Sequence, residues 1–299
     1  MISLAGSPRA KRFAQEFAPT SALVSKFVAG PTAAEGIQRA RALLKNSGIN
    51  GSLCYLGGYV DHLELVEETM TAKLQAAHKL ANAGLDVHVS ADPSQIGYRI
   101  SPAVATANMS RISETIAVAA GNKPGVHALV FGLEGATLTD ATLEMHRALV
   151  ERHLPAAITL QAYLKRTEAD LGPLIRMGAK VRLVKGAYAV DPGLAFLSRA
   201  HLTANWHRLI DRMLSKEARD NGFYPIIATH DGKLHAYTRE RAAANGWMPG
   251  EYEMEMLLGV RNSGARDLVR AGEKVRLYMP FGHDWFPYTR RKRLCRTGV

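Results

Sequence analysis

From about residue 50 onward, short apolar runs alternate with longer stretches of helical periodicity. The runs occupy 51–56, 86–90, 127–133, 157–163, 181–188, 225–230, 252–259 and 275–281. Continuous apolar runs of this length read as strands buried on both faces. Between the first two, Leu63, Val66, Met70, Leu74 and Ala77 recur at spacings of three and four, which predicts a helix with one apolar face. Further helices are predicted over 140–153, 167–177 and 195–220. Gly84, Gly178, Gly222, Gly246 and Gly272 each precede a strand and stop the helix before it. Eight strand–helix units predict an α/β fold, a (β/α)8 TIM barrel. The competing open, doubly wound sheet lacks a Gly-x-Gly-x-x-Gly after its first strand. Residues 1–50 read as an N-terminal helical extension and 51–299 as the catalytic barrel.

In such barrels the reactive groups sit at the C-terminal ends of the strands. Those ends offer Asp92, Glu134, Gln161, Lys185, Tyr188, Thr229, His230, Asp231, Glu253, Glu255, Tyr278 and His283. No metal set emerges, because His230 and Asp231 lack further ligands at suitable spacing. The 299 residues are 47% hydrophobic, enough for a large core. Net charge is +11, scattered except for Arg290, Arg291, Lys292, Arg293 and Arg296 near the end. Scattered charge without a binding motif argues against nucleic acid. The terminal cluster reads as a solvated helix end in preference to a peripheral contact with an anionic membrane. Two cysteines, Cys54 and Cys295, give neither a disulfide framework nor metal spacing, and read as reduced thiols of a cytoplasmic protein. The first twenty residues lack the apolar stretch of a signal peptide, and no run approaches a membrane span.

Strand five carries two cations, Arg182 and Lys185, before Gly186. Buried strands seldom accept cations unless something anionic or electron-rich lies nearby. Lys185 has the position of a Schiff-base lysine, or of an ion-pair partner to a neighbouring carboxylate. Arg182, three residues earlier, faces the other way in a regular strand, so only one of the two points straight into the barrel.

The segment Arg182-Leu183-Val184-Lys185-Gly186-Ala187-Tyr188 resembles a signature of the proline dehydrogenase family. Four further segments resemble the same family in order: 160–167 (LQAYLKRT), 228–231 (ATHD), 252–261 (YEMEMLLGVR) and 278–288 (YMPFGHDWFPY). The resemblance spans most of residues 50–293 and is densest in the second half. It implies a barrel that binds FAD non-covalently. It further implies that L-proline, or a proline-like cyclic secondary amine, is oxidised to the imine by hydride transfer to flavin N5. Electrons then pass to a quinone or another acceptor. By resemblance, Arg182, Val184, Lys185, Gly186 and Ala187 lie against the flavin, as do Gln161, Thr229 and His230. Tyr188, Leu257 and Tyr278 line the substrate pocket. Arg182, Lys185 and Tyr278 are the implied catalytic residues. Tyr288 lies on a last helix that in the family carries a tyrosine followed by an arginine pair gripping the substrate carboxylate.

The chain leaves the family pattern at the pocket. Counted from Tyr288, the pair falls on Arg291 and Lys292; with one residue deleted it is Arg290 and Arg291. Lysine lacks the bidentate fork of arginine. An acid expected after Leu56-Gly57 is Gly58, a lysine expected on strand two is Asp92, and an aspartate expected on strand three is Gly132, with Glu134 retained. Either the first-half alignment is displaced, or the substrate is a different amine. In the second reading the glycines enlarge the cavity, and Asp92 and Glu134 join the substrate-binding set, Asp92 pairing with a cationic or hydrogen-bond-donating group. Two other functions compete: a Schiff-base lyase using Lys185, and a flavin-binding barrel without catalysis.

Overall fold

Ser52 pairs in register with Tyr278, and this pairing joins the first strand to the last. The computed structural model describes residues 26–57, 60–186, 188 and 190–284. Eight parallel strands run β1 (Asn50–Tyr55), β2 (His88–Ala91), β3 (Ala128–Phe131), β4 (Ala156–Gln161), β5 (Lys180–Val184), β6 (Tyr224–Ala228), β7 (Glu253–Leu257) and β8 (Val275–Phe281), and close in that order into a barrel. The helices are α1 (Ala33–Ser47), α2 (Leu63–Asn82), α3 (Pro102–Ala120), α4 (Thr139–Glu151), α5 (Thr167–Arg176), α6 (Arg199–Met213), α7 (Lys216–Asp220), α8 (Gly232–Ala244) and α9 (Asn262–Arg270). The predicted (β/α)8 barrel is the observed fold.

Three predicted details differ. Strand five stops at Val184 rather than 188, because Gly186 turns the chain at φ +104°. The helix expected over 195–220 is two helices. Ser215 Oγ accepts from the Ala218 N–H at 3.1 Å and caps a new start. Leu63 opens α2 but is 60% exposed; the buried stripe begins at Val66 and continues through Met70, Lys73, Ala77 and Leu80.

Helix α1 starts at a reciprocal cap in which the Thr32 N–H donates to Glu35 Oε2 at 3.0 Å while Thr32 Oγ1 accepts from Glu35 N–H. It packs across the outside of β1 and β8. A side chain at Gly36 would touch Leu53 and Phe281, and one at Gly51 would come within 3.0 Å of Ala40 and Met279. This is the outer position that a helix following β8 takes in an idealised barrel.

Alternation along the strands divides the core. Outward residues such as Leu53, Val89, Leu129, Ile158, Leu183 and Met279 pack against the helices in one large cluster. Ala128, Val130 and Ala157 form a small separate cluster inside the barrel. The rest of the interior is unusually polar for a fold whose core is normally branched and apolar. Toward the strand starts, buried Arg276 donates to Glu253 Oε1 at 2.7 Å and to Asp86 Oδ2 at 2.7 Å, and its Nη1 donates to the Gly51 carbonyl at 3.0 Å. One layer up, His88 Nδ1 lies 2.8 Å from Ser52 Oγ.

Candidate functional site

Parity decides between the two cations of β5. Arg182 points into the barrel and is 6% exposed, whereas Lys185 stands exposed just past the strand end. Arg182 Nε donates to Thr159 Oγ1 at 2.9 Å and Nη1 donates to Glu255 Oε1 at 3.1 Å. Its guanidinium carbon lies 5.3 Å from the centre of the Tyr278 ring. Burial pulls hardest against the charge, but Glu255, joined by Tyr278, Asp92 and Cys54, outweighs that pull and holds the guanidinium charged. Burial pushes the Glu255 carboxyl up against the attraction of Arg182, and its Oε2 has no partner.

Tyr278 O–H donates to the buried Cys54 thiol at 2.7 Å, joining β8 to β1 beneath the mouth. Burial, then Cys54, drives the tyrosine well above its ordinary value, so its proton stays on. Burial likewise pushes the Cys54 thiol up, which keeps it a thiol and a poor nucleophile.

At the end of β4, buried Gln161 donates from Nε2 to the carbonyls of Leu133 and Glu134 at 2.9 and 3.0 Å. Its Oε1 has no partner. Glu134 is itself fully engaged: the Ser94 N–H and O–H donate to its two oxygens at 2.9 and 2.6 Å. Burial raises the Glu134 carboxyl, with Asp92 nearby adding to the effect. Asp92 ends β2 half-buried, and its Oδ1 lies 1.7 Å from where a Cβ at Gly132 would stand. Behind it Lys73, 0% exposed, donates to the Ser90 carbonyl at 2.8 Å and to Gln95 Oε1 at 3.0 Å. Burial lowers this lysine, with Cys54 and Asp92 pulling the other way.

On the β5–β7 side, Gly186 packs so closely that a Cβ there would fall 2.0 Å from the Tyr163 ring. Tyr163 O–H donates to the Tyr188 carbonyl at 3.2 Å, and the Val184 carbonyl accepts from Ala162 N–H at 2.8 Å. His230 Nε2 accepts from the Leu257 N–H at 2.9 Å, so the neutral ring carries its proton on Nδ1. Thr229 Oγ1 accepts from Asp231 N–H at 3.1 Å. Arg182, Gln161, Thr229, His230, Leu257, Tyr278, Asp92 and Lys185 therefore share one end of the barrel. Ala187, Gly58, Tyr288, Arg290, Arg291 and Lys292 lie outside the described residues.

Two expected strand-end acids serve elsewhere. Glu253 begins β7 and pairs with Arg276 at the opposite end of the barrel. Asp231 caps α8, accepting from Lys233 N–H at 2.9 Å. Among the described residues, no three His, Cys, Asp or Glu side chains converge as a metal site requires, and no helix is long and apolar enough to cross a membrane. As site residues, Cys54, Thr159 and Lys73 escaped the sequence reading. Lys73 did leave a signal, since it falls on the apolar stripe of α2 between Met70 and Ala77.

The proline dehydrogenase family profile matches residues 37–292. The chain belongs to the proline dehydrogenase family. A proline dehydrogenase 2 of Bacillus subtilis is 30% identical over 249 residues, covering 83% of this chain and 78% of its own length. A proline dehydrogenase of Deinococcus radiodurans is 30% identical over 276 residues, covering 90% and 85%. Among solved structures, proline utilization A from Bdellovibrio bacteriovorus superposes with a TM-score of 0.81 at 18% identity. That match covers 92% of this chain but only 33% of the larger protein, and shows the shared barrel. Membership of the proline dehydrogenase family makes this protein an oxidoreductase of the CH–NH bond, and excludes the Schiff-base lyase. The exposure of Lys185 agrees, since a Schiff-base amine is normally desolvated.

Proposed function

We propose that this protein oxidises a cyclic secondary amine of the proline type to its imine with FAD as the electron-accepting cofactor. The observation that carries the reading is the fixed, buried Arg182 beneath a mouth lined by Gln161, His230 and Tyr278. The residues present fit a flavin. The orphaned Gln161 Oε1 is a buried acceptor suited to the single N–H donor on the pyrimidine edge of isoalloxazine. Gly186 lets the Tyr163 ring close against the backbone just past the end of β5, which keeps that edge of the mouth flat. Arg182, Gln161, Thr229 and His230 would hold the ring system, with Val184, Lys185, Gly186 and Ala187 along it.

Bound there, FAD would supply two-electron chemistry, accepting hydride from the carbon next to the amine nitrogen, with a quinone or similar acceptor reoxidising it. The protein's own groups set the conditions. Arg182 is held charged in a water-poor layer, where a fixed cation stabilises developing negative charge more strongly than in water. Thr159 and Glu255 prevent it from swinging. Tyr278, whose proton is committed to Cys54, presents an apolar face and an acceptor oxygen to the pocket. Tyr188 and Leu257 complete walls that enclose a small ring. Tyr288 with two of Arg290, Arg291 and Lys292 would meet the substrate carboxylate.

Purified protein should be yellow, with an oxidised-flavin spectrum, and an amine of this class added anaerobically should bleach it. A colourless protein that gains no flavin on reconstitution sinks the reading. A yellow protein that no cyclic amine bleaches favours the non-catalytic barrel.

A further inference from the structure

We propose that Asp92 is the specificity-determining residue of this site, and that the preferred substrate is a cyclic secondary amine carrying an additional hydrogen-bond donor or cation. This rests on the amine-oxidising reading above and names the substrate class within it. The argument begins with what the pocket has left to offer. Glu134 spends both oxygens on Ser94. Tyr278 spends its proton on Cys54. Arg182 spends Nε and Nη1 on Thr159 and Glu255. With Gln161 Oε1 given to the cofactor and Nη2 of Arg182 left as a donor, the acceptors that remain on the described walls are the Asp92 carboxylate and the unpartnered Glu255 Oε2. A ligand that satisfies such a lining must bring donors, because a buried acceptor left unmet costs free energy.

Asp92 follows β2 half-buried at an inward-facing position, and its place is built rather than incidental. Gly132, just past β3, leaves room for it, since a Cβ there would overlap Oδ1 at 1.7 Å and the carboxylate would have to move. The Asp92 backbone N–H reaches Gln95 Oε1 at 3.4 Å, and Gln95 Nε2 ties the same loop to the carbonyls of Tyr55 and Gly57 at 3.3 and 3.2 Å. Lys73 braces Gln95 from behind. Among the described residues no cation closes an ion pair on Asp92. A carboxylate held in this way repels the anionic end of an amino acid and attracts a hydroxyl or ammonium. The substrate's anionic end must then lie away from β2 and β3, and its extra donor toward them.

The test compares turnover of L-proline with ring-hydroxylated prolines, ring-aminated prolines and prolinamide, using the flavin-loaded enzyme and its Asp92→Asn variant. At least one donor-bearing amine should exceed L-proline in kcat/KM by about tenfold or more, the scale on which a site built to bind a donor rejects a substrate lacking it. Asp92→Asn should collapse that ratio toward unity, with the loss concentrated on the donor-bearing substrates. Should the variant lose flavin, Asp92→Ser carries the same comparison, and the wild-type ranking stands by itself. L-proline ranking first, or an equal loss for all substrates in the variant, overturns the proposal while leaving amine oxidation intact. Failure of every amine to reduce the flavin overturns both.

Discussion

At the scale of single residues, the site depends on contacts that replace ordinary barrel filling. Thr159 supplies the acceptor for Arg182 Nε inside the core. Thr159→Val should cost about 1.5–3 kcal/mol in urea denaturation, because it leaves a buried charged donor unmet while conserving volume. Gly132 and Asp92 form a second such unit. Gly132→Ala should cost about 1–3 kcal/mol, since the new methyl must displace the carboxylate. In an Asp92→Ala background that penalty should shrink, giving a coupling of at least about 0.5 kcal/mol in a double-mutant cycle. Additive penalties would show that the two positions do not share space. The sequence made Arg182 visible because a cation in an apolar strand is conspicuous. It hid Lys73, because a lysine in an amphipathic helix normally reads as surface. Only its place on the Val66–Met70–Ala77 stripe betrays it, and the reason for burial lies in β2 and the turn after it.

At the scale of elements, α4 shows a cost that the fold tolerates. His146 is fully buried on this helix, edge-on to Phe131 of β3, with neither ring nitrogen partnered. Burial, with Lys180 adding to it, lowers its pKa from 6.5 to about 4. A histidine depressed in the folded state is neutral there, while the unfolded chain takes up a proton first. Stability is therefore intact above about 6.5, falls as pH falls, and the loss from this residue is complete near 4. The shift corresponds to about 3 kcal/mol. His88 inside the barrel is shifted the same way, by burial and then Arg276. Urea midpoints measured from pH 7 to 4.5 should show this acid slope, and His146→Leu should lose part of it, with His88 supplying the remainder. An unchanged slope would mean that His146 is hydrated. Strand positions were legible because eight apolar runs stand out between helices. Their ends were not, because Gly186 and the register with neighbouring strands decide where β5 stops. The break at Ser215 was hidden for a related reason: a single hydroxyl cap interrupts a periodicity that otherwise continues.

For the molecule as a whole, closure relies on charge as well as on hydrogen-bonded strands. Arg276 on β8 reaches Glu253 on β7, Asp86 ahead of β2 and the backbone of β1, so one guanidinium fastens the seam from three sides through four hydrogen bonds. Arg276→Met should destabilise the barrel by about 3–5 kcal/mol, because Glu253 is left buried without compensation. Arg276→Met with Glu253→Gln should recover part of that loss, as read by thermal melting. The cluster escaped sequence reading because its members are far apart in the chain and their facing is settled only once the barrel closes. The reverse holds for the fold class and the family resemblance, which rest on local pattern and were legible in full.

Because α1 already covers the seam between first and last strands, the wall is complete when the chain leaves β8. The same helix ties the chain's entry to its closing strand, so a side chain placed at Gly36 would be felt at both ends of the barrel at once, a mechanical link between where the vessel begins and where it shuts.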